Sequence, residues 1–270
     1  MTYNDTNRGT IKTWDGVQLQ YTQSGPSSSP TLLFISGTNY HVTTYDHRGH
    51  GDSDTSTDGY RVVRLASDLN DLINGLDLKD VTLVGHSMGC SVIWAYWSLF
   101  TDSRLKVNKV VLVDQAAGMT AEPGWSEECA NSISAIWKPS TAHDVAAGLR
   151  SPASLDVLTG ILRSMFTSAI SEEDLQWVLQ QNLEMRSEDA ATLLIEHASN
   201  DWRDVLPTIN IPTLVIGGDK SLITTEGTRF IGREIPNAKV RIFTEAEKGS
   251  HFMYWENPEL FNKVVEEFLQ

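Results

Sequence analysis

Val81-Thr82-Leu83-Val84-Gly85-His86-Ser87-Met88-Gly89 runs four β-prone residues straight into a serine that has glycines two places before and two places after it. Small residues at those positions let the backbone turn sharply from strand into helix. Ser87 is then held in a strained conformation with its hydroxyl exposed at the carboxyl end of the strand. The helix starts at once, in Cys90-Ser91-Val92-Ile93-Trp94-Ala95-Tyr96-Trp97. Its N-terminal amides and dipole face the place where an oxyanion would form. Ser87 is therefore expected to be a nucleophile, with the amide of Met88 as one oxyanion donor. The plainer alternative is a βα turn in which Ser87 only caps the helix.

Outward from this stretch the elements alternate. On the N-terminal side, Thr10–Trp14 and Val17–Gln23 flank Asp15-Gly16, which predicts a two-residue hairpin turn. Thr31–Ser36 and His41–Tyr45 read as buried strands, and Arg61–Leu76 has helical spacing with Val62, Leu65, Leu69, Leu72 and Ile73 on one face. On the C-terminal side, Lys109–Val113, Pro212–Gly217 and Lys239–Phe243 read as strands and Pro258–Leu269 as a closing amphipathic helix. Between about Ala116 and Trp202 the pattern is helical only, and Ser171-Glu172-Glu173-Asp174 marks one helix start. Strands alternating with helices predict an α/β fold, a mainly parallel sheet with helices on both faces. The expected division is a core over residues 1–115 and 206–270, with residues 116–205 as a helical lid over the carboxyl edge of the sheet, where such sheets bind ligands.

Composition narrows the partners. A formal net charge of −14 argues against nucleic acid and anionic membrane. The two cysteines, Cys90 and Cys129, have no metal-like spacing, so neither a metal nor another cofactor is expected. Met1 to Gly9 is polar and no stretch has the apolar length of a membrane span, so the expected location is the cytoplasm and the expected partner a small-molecule substrate.

A serine nucleophile needs a base on a loop near the strand ends. His251 follows a strand (Val240-Arg241-Ile242-Phe243) and a Gly-Ser loop, and precedes the last helix. The run Gly249-Ser250-His251-Phe252-Met253-Tyr254-Trp255-Glu256-Asn257-Pro258 resembles the C-terminal signature of the α/β-hydrolase superfamily. Asp46-His47-Arg48-Gly49-His50-Gly51-Asp52-Ser53 resembles that family's turn after the fourth strand, and the likeness extends from Thr10 onward. The resemblance implies serine-type acyl or ester chemistry with Ser87 attacking and His251 as general base. In most of the superfamily the third, acidic residue follows the strand read here as Thr213–Gly217. Ser221 stands at that position, and Asp219 comes two residues early. Asp114 ends the neighbouring strand and, as in a minority of relatives, can serve instead. Of the two carboxylates, Asp114 is favoured and Asp219 is the alternative. Of the other histidines, His50 and His86 are read as turn or packing residues, and His143 and His197 as part of the lid block.

One feature departs from the family. Relatives place an oxyanion loop and a helix between the third and fourth strands, whereas Ile35-Ser36-Gly37-Thr38-Asn39-Tyr40-His41-Val42 joins them through about four residues. A crossover between parallel strands ordinarily takes about a dozen residues or more. Either the strands form an antiparallel hairpin and the sheet is rearranged, or roughly 15 to 20 residues are deleted. The second oxyanion donor, expected at Thr38, would be misplaced by such a turn, and losing one donor costs about 100- to 1,000-fold in turnover.

The lid block carries Trp125, Trp137, Met165, Phe166, Trp177 and Met185, with Glu127, Glu128, Glu172 and Glu173 among them. Aromatic and thioether side chains over a serine suit an apolar or aromatic substrate, although such residues also serve as helix core. The leading expectation is a cofactor-free carboxylic ester or lactone hydrolase working through an acyl-enzyme. The alternatives are a cofactor-independent dioxygenase of the quinolone-cleaving type, which the same fold hosts, and a catalytically impaired homologue acting as a binder.

Overall fold

The computed structural model describes residues 6–26, 29, 31–33 and 40–270. An eight-stranded sheet forms its centre, in the order β1-β2-β4-β3-β5-β6-β7-β8. Strands β1 (Thr6–Lys12) and β2 (Gln18–Ser24) are antiparallel, and β2 is antiparallel to β4 (His41–Tyr45). From there on every pairing is parallel: β4 with β3 (Thr31–Leu33), then β5 (Val81–His86), β6 (Val107–Val113), β7 (Thr213–Gly218) and β8 (Ala238–Phe243).

The valine- and leucine-rich strands are buried on both faces, and their side chains alternate between two cores. Val110 and Leu112 of β6 join Leu83 and Val215 in one core, beneath α1 (Val62–Gly75) and α2 (Met88–Leu99). Val111 and Val113 join Val84, Leu214 and Ile216 in the other, beneath α10 (Pro258–Leu269). Val62, Leu65, Leu69, Leu72 and Ile73, the face expected from helical spacing, are all buried. Burying each such side chain contributes about 1.5–3 kcal/mol. At the end of β4, the Arg48 guanidinium donates two 2.7 Å hydrogen bonds to Asp68 of α1 and also reaches Asp15. Arg48 and Asp68 are both buried, so removing either partner would leave a buried charge with one remaining contact, Arg48 with Asp15 or Asp68 with Arg64.

Two expectations need correction. The first hairpin turns through three residues, Trp14-Asp15-Gly16, with Thr13 N–H donating to Val17 O and Gly16 at φ +94°. This is the turn-plus-glycine geometry of a longer loop and not a two-residue turn. The antiparallel alternative for the third and fourth strands is also wrong, because β3 and β4 pair in parallel with Thr31 opposite His41 and Leu33 opposite Thr43. The physical reason is the place of β3 in the sheet. It lies between β4 and β5 and pairs in parallel with both, Leu32 opposite Thr82 and Leu33 opposite Leu83 on the β5 side, so its direction is set by the central parallel strands. Residues 34–39 themselves, including the end of the strand expected through Ser36, lie outside the described residues.

Between β6 and β7 the chain inserts five helices: α3 (Glu127–Ser132), α4 (Pro139–Leu149), α5 (Ser154–Ser164), α6 (Glu172–Asn182) and α7 (Ser187–Ala198). Ser171 caps α6 by accepting the Asp174 N–H at 3.0 Å, at the helix start expected from sequence. The base of the insertion is closed where Trp202 N–H donates to Ala117 O and Gly118 bridges Asp201. After β7 the chain continues through α8 (Thr225–Glu234), β8 and the short α9 (Met253–Glu256) into α10. No helix among the described residues is long and apolar enough to cross a membrane.

Candidate active site

Ser87 sits between β5 and α2 at φ 52°, ψ −125°, a region that favours glycine and costs a serine on the order of 1–3 kcal/mol. The surroundings enforce it. Ser87 N–H donates to Val113 O at 2.8 Å, and Cys90 N–H donates back to Ser87 O at 2.8 Å. A Cβ on Gly85 would lie 2.7 Å from the Gly89 carbonyl, so only glycine permits this approach. Gly89 has open space around it. Cys90 lies under the turn with its thiol toward Gly85 O at 3.1 Å, and burial pushes that thiol far above the usual range, which keeps it protonated and inert.

His251 is buried on the loop after β8. A Cβ on Gly218 would lie 2.1 Å from Gly249 O, so a glycine at the end of β7 is what lets this loop lie against the sheet. His251 Nδ1 meets Asp114 Oδ2 at 2.6 Å. Asp114 follows β6 at φ 54° and is 1% exposed. Its carboxylate also accepts the Gly218 N–H at 3.2 Å and the Ser221 hydroxyl. With a carboxylate on Nδ1, that nitrogen is the donor and Nε2 carries the lone pair. Ser221, the residue at the family's usual acid position, is thus a hydrogen-bond donor to the carboxylate that approaches from the neighbouring strand. Asp219 is exposed, and among the described residues no hydrogen bond joins it to His251.

Ser87, Met88 and His251 open onto one cavity of about 480 Å³ between the sheet edge and the inserted helices. Met119, Trp137, Met165, Met185 and Leu193 supply much of its apolar wall. No hydrogen bond to the Ser87 hydroxyl is formed among the described residues. Met88 opens α2, so its amide belongs to the helix N-terminus, whereas Thr38 lies outside the described residues. Of the other side chains singled out in the insertion, Phe166 is packed with Leu162 and Leu175, Trp125 lies under Arg203, and Trp177 is exposed and stacked on Trp255. Glu172 is ion-paired with Arg163.

Three features escaped the sequence reading. His86 Nε2 lies 2.9 Å from His251 O and donates to it, and burial beside the His251 ring holds the His86 pKa well below the usual range. The residue before the serine therefore ties the turn at Ser87 to the backbone of His251. In the cavity wall, Gln115 Oε1 accepts the Ala116 N–H, which turns the Gln115 amide nitrogen toward His197 Nε2 at 3.0 Å. Burial lowers the His197 pKa to about 4. On the opposite side, His251 N–H donates to Met165 O, Phe166 stacks on Phe252, and Glu256 accepts both the Thr167 N–H and its hydroxyl. None of these contacts has a local sequence signal, since each joins segments more than 80 residues apart except the Gln115–Ala116 bond. Among the described residues there is no cluster of His, Cys, Asp and Glu that could hold a metal.

A strained serine at the strand end and a carboxylate-held histidine facing one cavity define a recognisable class, and the chain belongs to the alpha/beta hydrolase family, whose model matches residues 24–264. Among curated relatives, the chain is 26% identical to the non-heme chloroperoxidase of Kitasatospora aureofaciens, over 91% of this chain and 88% of that protein. It is also 26% identical to 3-oxoadipate enol-lactonase 2 of Acinetobacter baylyi, over 93% and 92% of the two chains. The bromoperoxidase structure from Bacillus anthracis has the same fold, with a TM-score of 0.84 and 23% identity over 97% of this chain and 99% of that one.

Proposed function

We propose that this chain hydrolyses a small carboxylic ester or lactone, apolar or aromatic around the reacting carbonyl, through a Ser87–His251–Asp114 triad. The observation that carries the reading is the 2.6 Å His251–Asp114 contact beside a serine whose backbone is held at φ 52°. Asp114 fixes the imidazole with Nε2 free to accept a proton. Ser87 Oγ attacks the carbonyl carbon as its proton passes to Nε2. The carbonyl oxygen becomes an oxyanion, which the Met88 amide at the start of α2 stabilises together with a second donor, the one expected from the sequence at Thr38. Collapse of this intermediate expels the alkoxide, which takes the proton from His251, and leaves an acyl-Ser87 ester. Water then repeats the sequence, giving the acid and restoring the serine. In a lactone the leaving alkoxide stays on the same molecule, so the product is a hydroxy acid. Residues 116–205 act as the lid that keeps water from the apolar cavity. No cofactor enters these steps.

The enol-lactonase relative is consistent with this chemistry. The test is intact-mass labelling of the folded chain with a fluorophosphonate, with Ser87→Ala as control. One adduct that disappears in the variant is expected. A folded wild-type chain that gains no adduct would overturn the reading in favour of a binder. Oxygen uptake with a hydroxyquinolone and no ester turnover would favour the dioxygenase alternative.

A further inference from the structure

A second cavity of about 520 Å³ lies beside the first, bounded by the turn after β4, by α5, by the α6–α7 connection and by Tyr254. The two cavities share Met185 and Ala190 as wall residues, so they adjoin at these side chains. Tyr254 brings the outer cavity close to the chemistry, because its ring packs edge-on at 4.9 Å against His86, whose Nε2 holds the His251 carbonyl. The two walls differ in kind. The inner one is mostly methionine, leucine and isoleucine. The outer one carries Asp46, His50, Asn182 and Glu184, with no lysine or arginine among the described residues lining either cavity. The arginines flanking the outer wall in sequence are already engaged, Arg150 with Glu188 and Arg186 with Asp189.

We infer that the outer cavity is a second substrate compartment, reached past Met185, that takes a polar neutral or cationic group and rejects a carboxylate. The inference rests on the hydrolase reading above and gives its substrate class: an ester that is apolar next to the reacting carbonyl and polar, without negative charge, at its far end. An unbranched methionine can change rotamer to open the partition, where a β-branched residue could not. Two carboxylates on the outer wall, on a chain of net charge −14, set the sign of the discrimination.

The experiment uses aryl esters of equal length whose tails end in trimethylammonium, hydroxyl or carboxylate, in one series on the acyl side and in a second on the alcohol side. p-Nitrophenyl acetate serves as the tail-free reference. In at least one series, kcat/KM for the ammonium and hydroxyl tails is expected to exceed that for the carboxylate tail about tenfold at low ionic strength, and the gap should shrink with added salt. Exposed Glu184→Lys should raise the carboxylate tail about tenfold relative to the ammonium tail, and Glu184→Gln by about threefold. Turnover of the acetate ester with the same tail order, within twofold, in wild type and Glu184→Lys in both series would overturn the second compartment and leave the hydrolase reading standing. No turnover of any ester, acetate included, together with no fluorophosphonate adduct, would overturn both.

Discussion

At the scale of single residues, position 114 distinguishes the geometry from an ordinary reading of the family pattern. The carboxylate that meets His251 comes from the end of β6, and Ser221, after β7, supplies only a hydroxyl to it. Asp114→Asn is therefore expected to lower kcat by about 10⁴-fold through the wrong imidazole tautomer, whereas exposed Asp219→Asn should leave most turnover, both read by steady-state ester hydrolysis. The reverse pattern would move the acid to Asp219. The two glycines around Ser87 also separate. Gly85→Ala forces a Cβ onto the Gly89 carbonyl at 2.7 Å, so loss of both fold stability and serophilic labelling is expected. Gly89→Ala meets nothing within 4 Å inside a helix, and should raise stability by about 0.5–1 kcal/mol in a denaturant titration.

At the scale of elements, the segment after α5 is fastened to the loop that carries His251. Glu256 of α9 accepts two hydrogen bonds from Thr167, Phe166 stacks on Phe252 at 4.6 Å, and Met165 O receives the His251 N–H at 3.1 Å. The insertion is thus tied directly to the loop of His251. Glu256→Ala should lower kcat roughly tenfold through loss of hydrogen bonds to a charged group, with less effect on KM, and Glu256→Gln should recover part of the loss because its carbonyl oxygen still accepts. Equal, full activity of both variants would mean that the contact serves only to dock the insertion. The direction of β3 is settled at the same scale, because it is hydrogen-bonded in parallel to both β4 and β5.

At the scale of the whole molecule, burial of His197 links the inserted helices to acid stability. It lies at the end of α7 against Gln115, which follows β6, with a folded pKa of about 4 against roughly 6.5 when unfolded. The unfolded chain therefore binds the extra proton first. The stabilisation is complete above about pH 6.5 and is lost as the pH falls toward 4, by roughly 3 kcal/mol in all. Urea midpoints at neutral pH and near pH 4 should show this loss, and His197→Gln should narrow the gap. An unchanged gap in the variant would assign the acid sensitivity to other groups.

Local chemistry made much of this protein legible in the sequence. Period-2 and period-3.6 patterns placed the strands and helices, and the glycines around Ser87 and the loop before His251 singled out the proposed nucleophile and base, because steric permission and hydrophobic periodicity act between residues close in the chain. The pairing of Asp114 with His251 was decided by tertiary structure. Asp114 and Asp219 each end a segment near the sheet edge, and only the lateral order of β6, β7 and β8 brings Asp114 under His251 while Asp219 faces solvent. The parallel pairing of β3 with β4, the His86 tie and the paired cavities about Met185 were equally beyond the sequence. Each depends on distances between segments far apart in the chain, which residue spacing does not encode.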